Sequence, residues 1–334
     1  METDIPQSYT AAANFPLKLF VHEEVIRLTK KGFIPPIHVQ LCPTNKCNRN
    51  CFYCSCSARD KTLELSFHRI CQIMDVFRVL GCRAVTITGG GEPLLHPDIQ
   101  KIIPYIAKYL GIEVGLVTNG MLLNKFSPQL WDNVLWCRIS NDDSRPLTQE
   151  YIKVLEEGLE MGPRVDWAFS HVVSKELNMD VISDVVEFAN RHKFTHVRLV
   201  SDLFDLEHVP SMQIIRDELK KRKVDDKLVV YQDRKSYERG TSKCFISLLK
   251  PTVCPDGNLY PCCGTQYAMK NSPSRDFMDE DGKMVMGKAT PAEIGEIWRT
   301  CHPFDGSVCD VCYYGEYNRS LVLMLKKIQH PNHV

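Results

Sequence analysis

Residues 47–54 read Cys47-Asn48-Arg49-Asn50-Cys51-Phe52-Tyr53-Cys54 and follow an apolar run, 36–42 (PIHVQLC), with the composition of a strand. The C-x3-C-x2-C loop therefore leaves a strand at its carboxyl end, where parallel α/β folds collect their ligands. Three thiolates at this spacing can hold a cubane [4Fe–4S] cluster and leave its fourth iron open. An open metal position means chemistry, by the logic that separates catalytic from structural zinc. The competing reading is a structural zinc site completed by Cys42 or Cys56.

Downstream, apolar runs alternate with amphipathic ones. Strand-like segments at 82–88, 112–118, 134–140, 165–173 and 195–201 are separated by helix-like segments at 65–80, 98–109, 148–160 and 179–192. With 36–42 that makes six strands, and the alternation predicts a parallel sheet covered on both faces. Periodicity leaves a partial barrel and a doubly wound sheet open. The second strand runs into Gly89-Gly90-Gly91-Glu92-Pro93, and the third ends at Thr118-Asn119-Gly120. Glycine lets backbone approach a ligand closely at a strand end; on its own the same run is also a tight βα turn. A further helix at 210–223 closes with Lys220-Lys221-Arg222-Lys223. That basic end reads as a solvated last turn, favourable at the negative end of the helix dipole, rather than a nucleic-acid patch.

Composition narrows the class. The 334 residues are 44% hydrophobic and 25% charged, as expected of a chain that buries a core. Lys plus Arg and Asp plus Glu are both 41, so no net charge supports a bulk grip on nucleic acid or acidic membrane. No apolar run reaches the length of a bilayer span. The opening METDIPQSYT lacks the basic and apolar regions of a secretion signal, which predicts a cytoplasmic protein. The 15 cysteines are an odd number and cluster at 42–56 and 244–312. A reducing compartment and soft-metal ligation explain them better than disulfides do.

The C-x3-C-x2-C loop, its aromatic Tyr53 before the third cysteine, Gly90-Gly91-Glu92-Pro93 at the next strand end and Arg138-Ile139-Ser140 on the fourth strand together resemble the radical S-adenosylmethionine (radical SAM) superfamily. The resemblance spans roughly 36–201. It implies an α/β fold, a partial (β/α)6 TIM-like barrel, with a [4Fe–4S] cluster on Cys47, Cys51 and Cys54 and SAM chelating the open iron. It also implies that Gly90, Gly91 and Glu92 contact the methionyl amine, that backbone near Tyr53 meets the adenine, and that Ser140 and the strand around Ser170 face the ribose and carboxylate. An electron donor such as flavodoxin or ferredoxin would be a partner.

Beyond 240 the text changes to short apolar runs, Pro, Gly and cysteine. Cys244, Cys262, Cys309 and Cys312 form a C-x12-G-x4-C … C-x2-C set, and Asp256-Gly257 reads as the turn of a hairpin that delivers Cys262. Spacing alone also fits a zinc ribbon. The segment is similar to the SPASM/Twitch extension of radical SAM proteins, including a Met286-Gly287 strand before an Ile294–Trp298 helix. No cysteine follows Cys312, so the one-cluster Twitch form is the closer match, and a second [4Fe–4S] cluster on those four thiols is what the resemblance implies. The expected organisation is an N-terminal extension at 1–35, the barrel at 36–235 and a Twitch/SPASM-like domain at 240–334. A mobile loop at 264–285 with a hairpin at Asp281-Gly282 and a final helix at 317–328 complete it.

The function expected is hydrogen abstraction from an unactivated carbon of a polar small molecule: a carbohydrate, aminocyclitol or nucleoside. Oxidation is favoured, and thiol-assisted epimerisation or peptide maturation are the alternatives. The short stretch ahead of the first strand tilts the expectation from peptide towards small molecule. Cys254, Cys263 and Cys301 flank the second cysteine set without being needed by it and are the candidate hydrogen donors; Cys56 lies in a loop near the first. His96, His171 and His302 are acid–base candidates, and Asp142-Asp143 are candidate hydroxyl acceptors, each more simply read as structural. The non-enzymatic rival is a metal-binding or sensing protein.

Overall fold

The computed structural model describes residues 21–57, 59–233, 239–265, 284–309, 312 and 314–325. The expected hairpin at Asp281-Gly282 and the end of the last helix lie outside those residues, as does most of the N-terminal extension.

Seven strands run in chain order: β1 His38–Leu41, β2 Ala84–Ile87, β3 Glu113–Thr118, β4 Trp136–Asp142, β5 Asp166–Val173, β6 His196–Ser201 and β7 Val229–Gln232. Each pairs in parallel with the next. A doubly wound sheet reverses its order at a switch point. The unbroken order 1 to 7 has no reversal, so the TIM-like alternative holds. The six expected strands are all present within about two residues. β7 is an addition, since its run Val229-Val230-Tyr231 is too short to stand out beside the polar segment around it.

Helices cross between strands where the sequence caps them. Ser66, Thr148 and Asn178 accept from backbone N–H groups at the starts of α2 (Phe67–Val79), α4 (Gln149–Met161) and α5 (Met179–Arg191). An earlier helix, α1, covers Glu23–Lys30, and α6 covers Met212–Lys221. The segment expected as one helix at 98–109 is α3 (Ile99–Pro104) continued by a π turn at Tyr105–Tyr109, because Pro104 offers no N–H to an α-helical ladder.

The cysteine-rich segment joins the same sheet. β8 (Thr252–Val253) pairs in parallel with β1, and the hairpin partner β9 (Asn258–Tyr260) and β10 (Gly287–Lys288) continue antiparallel. Gly257 takes φ +76° at the turn, as the Asp-Gly signal requires. Helix α7 (Pro291–Thr300) lays Trp298 edge-on to Phe77 of α2, and the Trp298 indole N–H donates to the Ile34 carbonyl at 3.1 Å. Helix α8 (Gly315–Leu325) follows. One apolar core takes residues from both expected domains. No helix among the described residues is long and apolar enough to cross a membrane.

Candidate active site

The first cysteine loop leaves the carboxyl end of β1 as expected. Arg59 braces it from beneath: buried, it donates through Nε to the Asn45 carbonyl at 2.9 Å and through Nη1 to the Cys56 carbonyl at 2.6 Å and the Cys54 sulfur at 3.4 Å. Nothing in the sequence pattern singles Arg59 out. Cys47, Cys51 and Cys54 are all half-buried, and burial raises the Cys47 thiol above its ordinary value. Among the described residues no three His, Cys, Asp or Glu side chains form a group able to hold a single metal ion.

The glycine run meets this loop directly. A Cβ on Gly91 would lie 2.0 Å from the Lys46 carbonyl oxygen, and Gly91 N–H already donates to the Thr44 carbonyl at 3.0 Å. Glu92 N–H donates to the Lys46 carbonyl at 2.7 Å. The close approach is thus to the cysteine loop's own backbone. Gly90 is buried beside it. The side chain of Glu92 is turned into the protein. Its carboxylate is buried, takes Leu94 N–H and Thr118 Oγ on one oxygen (3.1 and 2.7 Å) and Asn119 N–H on the other (2.7 Å), and is raised above the usual carboxylate range by desolvation. It ties the end of β2 to the end of β3.

The ends of β4, β5 and β6 form the facing wall. Ser140 and Ser170 are paired in register, and Arg198 of β6 donates to Ser170 Oγ through Nη2 at 2.8 Å and Nε at 3.2 Å. Arg198 was not an expected site residue. Tyr53 is half-buried and its hydroxyl donates to Asp142 at 2.9 Å. Asp142 and Asp143 are both committed internally, which corrects their candidacy as substrate acceptors. Asp143 accepts from Ser174 N–H at 2.6 Å and meets His171 Nε2 at 2.9 Å inside the protein. His96 is likewise structural, with Nε2 2.7 Å from the Leu65 carbonyl, whereas His302 is exposed.

The second cysteine set converges. Cys244, Cys262, Cys309 and Cys312 line one open-sided cavity with Tyr314 and Asn318. Burial raises the Cys244 thiol to about 11 and the Cys262 thiol well above its ordinary value. Four soft donors on one cavity suit a fully ligated cluster. Asn318 is an addition to the expected site. Its Oδ1 accepts from Ile246 N–H at 3.2 Å, which turns its Nδ2 to the Cys244 sulfur at 3.7 Å.

The spare thiols separate. Cys254 is sealed with Cys42, Cys56 and Tyr260 in a small buried cluster, and desolvation raises its thiol far above the ordinary value. That leaves its sulfur no open face for a substrate. Cys301 ends α7 in a left-handed conformation and its sulfur accepts from Ile34 N–H at 3.0 Å, ahead of β1 and so at the amino end of the strands. Both placements count against a donor role. Cys263 alone of the three is half-buried near the cavity, 3.7 Å from the Tyr314 hydroxyl.

The family described as Radical SAM superfamily matches residues 41–135 of this chain. The superfamily's [4Fe–4S] cluster and SAM are its cofactors. The chain is similar to a probable GTP 3′,8-cyclase of Archaeoglobus fulgidus, 27% identical over 188 residues that cover 53% of this chain and 62% of the relative. It is similar also to a GTP 3′,8-cyclase of Staphylococcus carnosus, 31% identical over 185 residues that cover 49% and 54%. The matches thus span little more than half the length of these relatives. Among solved structures, that of Streptococcus suis SuiB bound to precursor peptide SuiA aligns with a TM-score of 0.54 at 15% identity, over 90% of this chain and 82% of that one. At that identity the likeness speaks to fold.

Proposed function

We propose that this protein is a radical SAM enzyme with one auxiliary cluster, acting on a nucleoside-like or similarly polar small molecule. Cys47, Cys51 and Cys54 would hold the SAM cluster, and Cys244, Cys262, Cys309 and Cys312 the second, within a Twitch-like region at 240–334. The observation that carries the reading is the pair of thiol sets carried by one continuous sheet, three on the loop after β1 and four on one cavity. The nucleoside class is supported by the curated relatives, which bear the name GTP 3′,8-cyclase. When bound, the first cluster supplies the electron that splits SAM into methionine and a 5′-deoxyadenosyl radical.

The chain's own residues then orient and enclose. The wall of Ser140, Ser170 and Arg198 would seat the polar parts of SAM, and the buried Glu92 network keeps the glycine turn rigid behind it. Oxidation fits this equipment: Cys244, Cys262, Cys309 and Cys312 would hold a cluster able to accept the electron that a substrate radical gives up as it loses a proton. Ring closure within a nucleotide is the second reading, favoured by the relatives' activity. Thiol-assisted epimerisation has lost two of its three candidate donors.

Anaerobically reconstituted protein is expected to carry about eight iron per chain and to form 5′-deoxyadenosine under dithionite. The double variant Cys309→Ala/Cys312→Ala is expected to lose about four of those iron and to fold less well, because a cluster stands in for core in a loop-rich region. Full iron retention would remove these two thiols from the site.

A thiol experiment separates the reactions. Cys263→Ser is expected to leave product formation intact, with no solvent deuterium at the reacting carbon in heavy water. An oxidised product has two fewer hydrogens; a cyclised isomer has unchanged mass. Product lost while SAM cleavage persists, with deuterium at the inverted carbon in the unaltered enzyme, would establish epimerisation instead.

A further inference from the structure

Arg49 and Tyr53 lie inside the first cysteine loop, after β1, yet their polar ends meet at β4, three places away in the sheet. Arg49 Nη2 is 3.0 Å and the Tyr53 hydroxyl 2.9 Å from the same oxygen, Asp142 Oδ2. The other oxygen, Oδ1, accepts from Ser144 N–H at 3.1 Å and from the Ser144 hydroxyl. Asp142 is 1% exposed, so this is a buried carboxylate whose acceptor sites are filled from two directions.

The carboxylate is also a fixed point. Behind it, Asp143 is held by His171 and Ser174. Beside it, Arg145 Nη1 donates to the carbonyls of Asn119 and Ser140 at 2.6 and 3.0 Å, and its guanidinium lies 3.9 Å over the Tyr151 ring. On the other side, Arg49 and Tyr53 each stand two residues from Cys51 in the same loop, and that thiol is an electrostatic neighbour of both. A rigid carboxylate on one side of the barrel mouth thus sets where a guanidinium sits in the cysteine loop on the other side.

We propose that Asp142 is a positioning residue that holds Arg49 and Tyr53 across the barrel mouth against the Cys51 sulfur, fixing the cysteine loop and tuning the cluster it carries. Hydrogen bonds to ligand sulfurs and nearby charge are two of the means by which proteins set iron–sulfur potentials. A cation at Cys51 stabilises the reduced, more negative cluster. The carboxylate both aims that cation and partly cancels it. The inference rests on the reading that Cys47, Cys51 and Cys54 hold the first cluster.

The test is a redox titration of the first cluster, followed by electron paramagnetic resonance without SAM, in the full-length protein with both clusters loaded. Asp142→Asn keeps the size but removes the negative charge, and the potential is expected to shift upward. Arg49→Gln removes the positive charge, and a downward shift is expected. The double variant is expected to return towards the unaltered value, and signals of the second cluster are expected to stay in place throughout. Should Asp142→Asn fail to fold, Arg49→Gln still carries the sign of the effect. Unchanged potential and spectrum in a fully loaded Arg49→Gln protein would overturn the proposal while leaving the cluster assignment intact. An unaltered protein that binds only about four iron and cleaves no SAM would overturn the assignment, and the proposal with it.

Discussion

The triple variant Cys47→Ala/Cys51→Ala/Cys54→Ala is expected to form no 5′-deoxyadenosine under dithionite and to keep about four of its eight iron. The three thiols project from a loop after β1, whose backbone is anchored by Arg59 and by the Thr44–Glu64 bridge rather than by the sulfurs themselves. Removing the sulfurs therefore empties the site without taking down the strand. The four thiols of the second set face a separate cavity and are expected to keep a cluster of their own. Iron analysis and a deoxyadenosine assay on the same sample check both halves. Deoxyadenosine at the unaltered rate would refute the assignment outright, and loss of all iron would show that the two sites load as one.

Gly91→Ala is expected to be among the most damaging single-methyl additions in the chain. The new Cβ would sit 2.0 Å from the Lys46 carbonyl oxygen and 2.5 Å from the Asn45 carbonyl carbon. Both are backbone atoms, and neither has a flexible end that can swing away. The cost is expected at or above the top of the ~1–3 kcal/mol range for overpacking. The displaced atoms begin the cysteine loop, so cluster loading is expected to fall with stability. Gly295→Ala is the control. It lies within α7 with nothing within 4 Å of the added carbon, and is expected to be neutral or to stabilise by about 0.4–1 kcal/mol. Thermal unfolding of the two variants, with iron content alongside, measures the contrast. Equal melting temperatures would show that the loop yields more readily than its contacts suggest.

Gly91 also illustrates how far the sequence could be read. Its need for a missing side chain was legible from the glycine run at a strand end, but the object it approaches was not. A ligand and a neighbouring backbone impose the same requirement, and only the fold brings residues 45–46 and 91 together. Glu92 is similar: an acidic residue at a strand end looks like a contact group, and the three donors that occupy it come from 94, 118 and 119. The six strands were legible because each is a largely buried apolar run set off by polar or helical segments. β7 was not, because its short apolar run lies between the charged stretches Asp225-Asp226-Lys227 and Asp233-Arg234-Lys235. The four thiols of the second cavity could be named from spacing and resemblance. The spare cysteines could not be sorted, since whether a thiol is sealed or open depends on strands far apart in sequence. Arg59 and Asn318 carry no motif; what they do depends on contacts that no local pattern encodes.

The pairing of β1 with β8 bears on how the chain is made. Gln40 and Thr252 stand side by side in that ladder, 212 residues apart in sequence. On a ribosome the barrel strands emerge and pair in order, each beside its predecessor, but one edge of β1 waits for a segment synthesised long afterwards. Until then its N–H and C=O groups are an open template for any passing strand. Contacts of such long range also close slowly, because loop entropy must be spent before they form. The last step of folding is thus the one that brings the two cysteine sets onto a common sheet, and a nascent chain stalled before β8 would be at its most prone to associate with its neighbours.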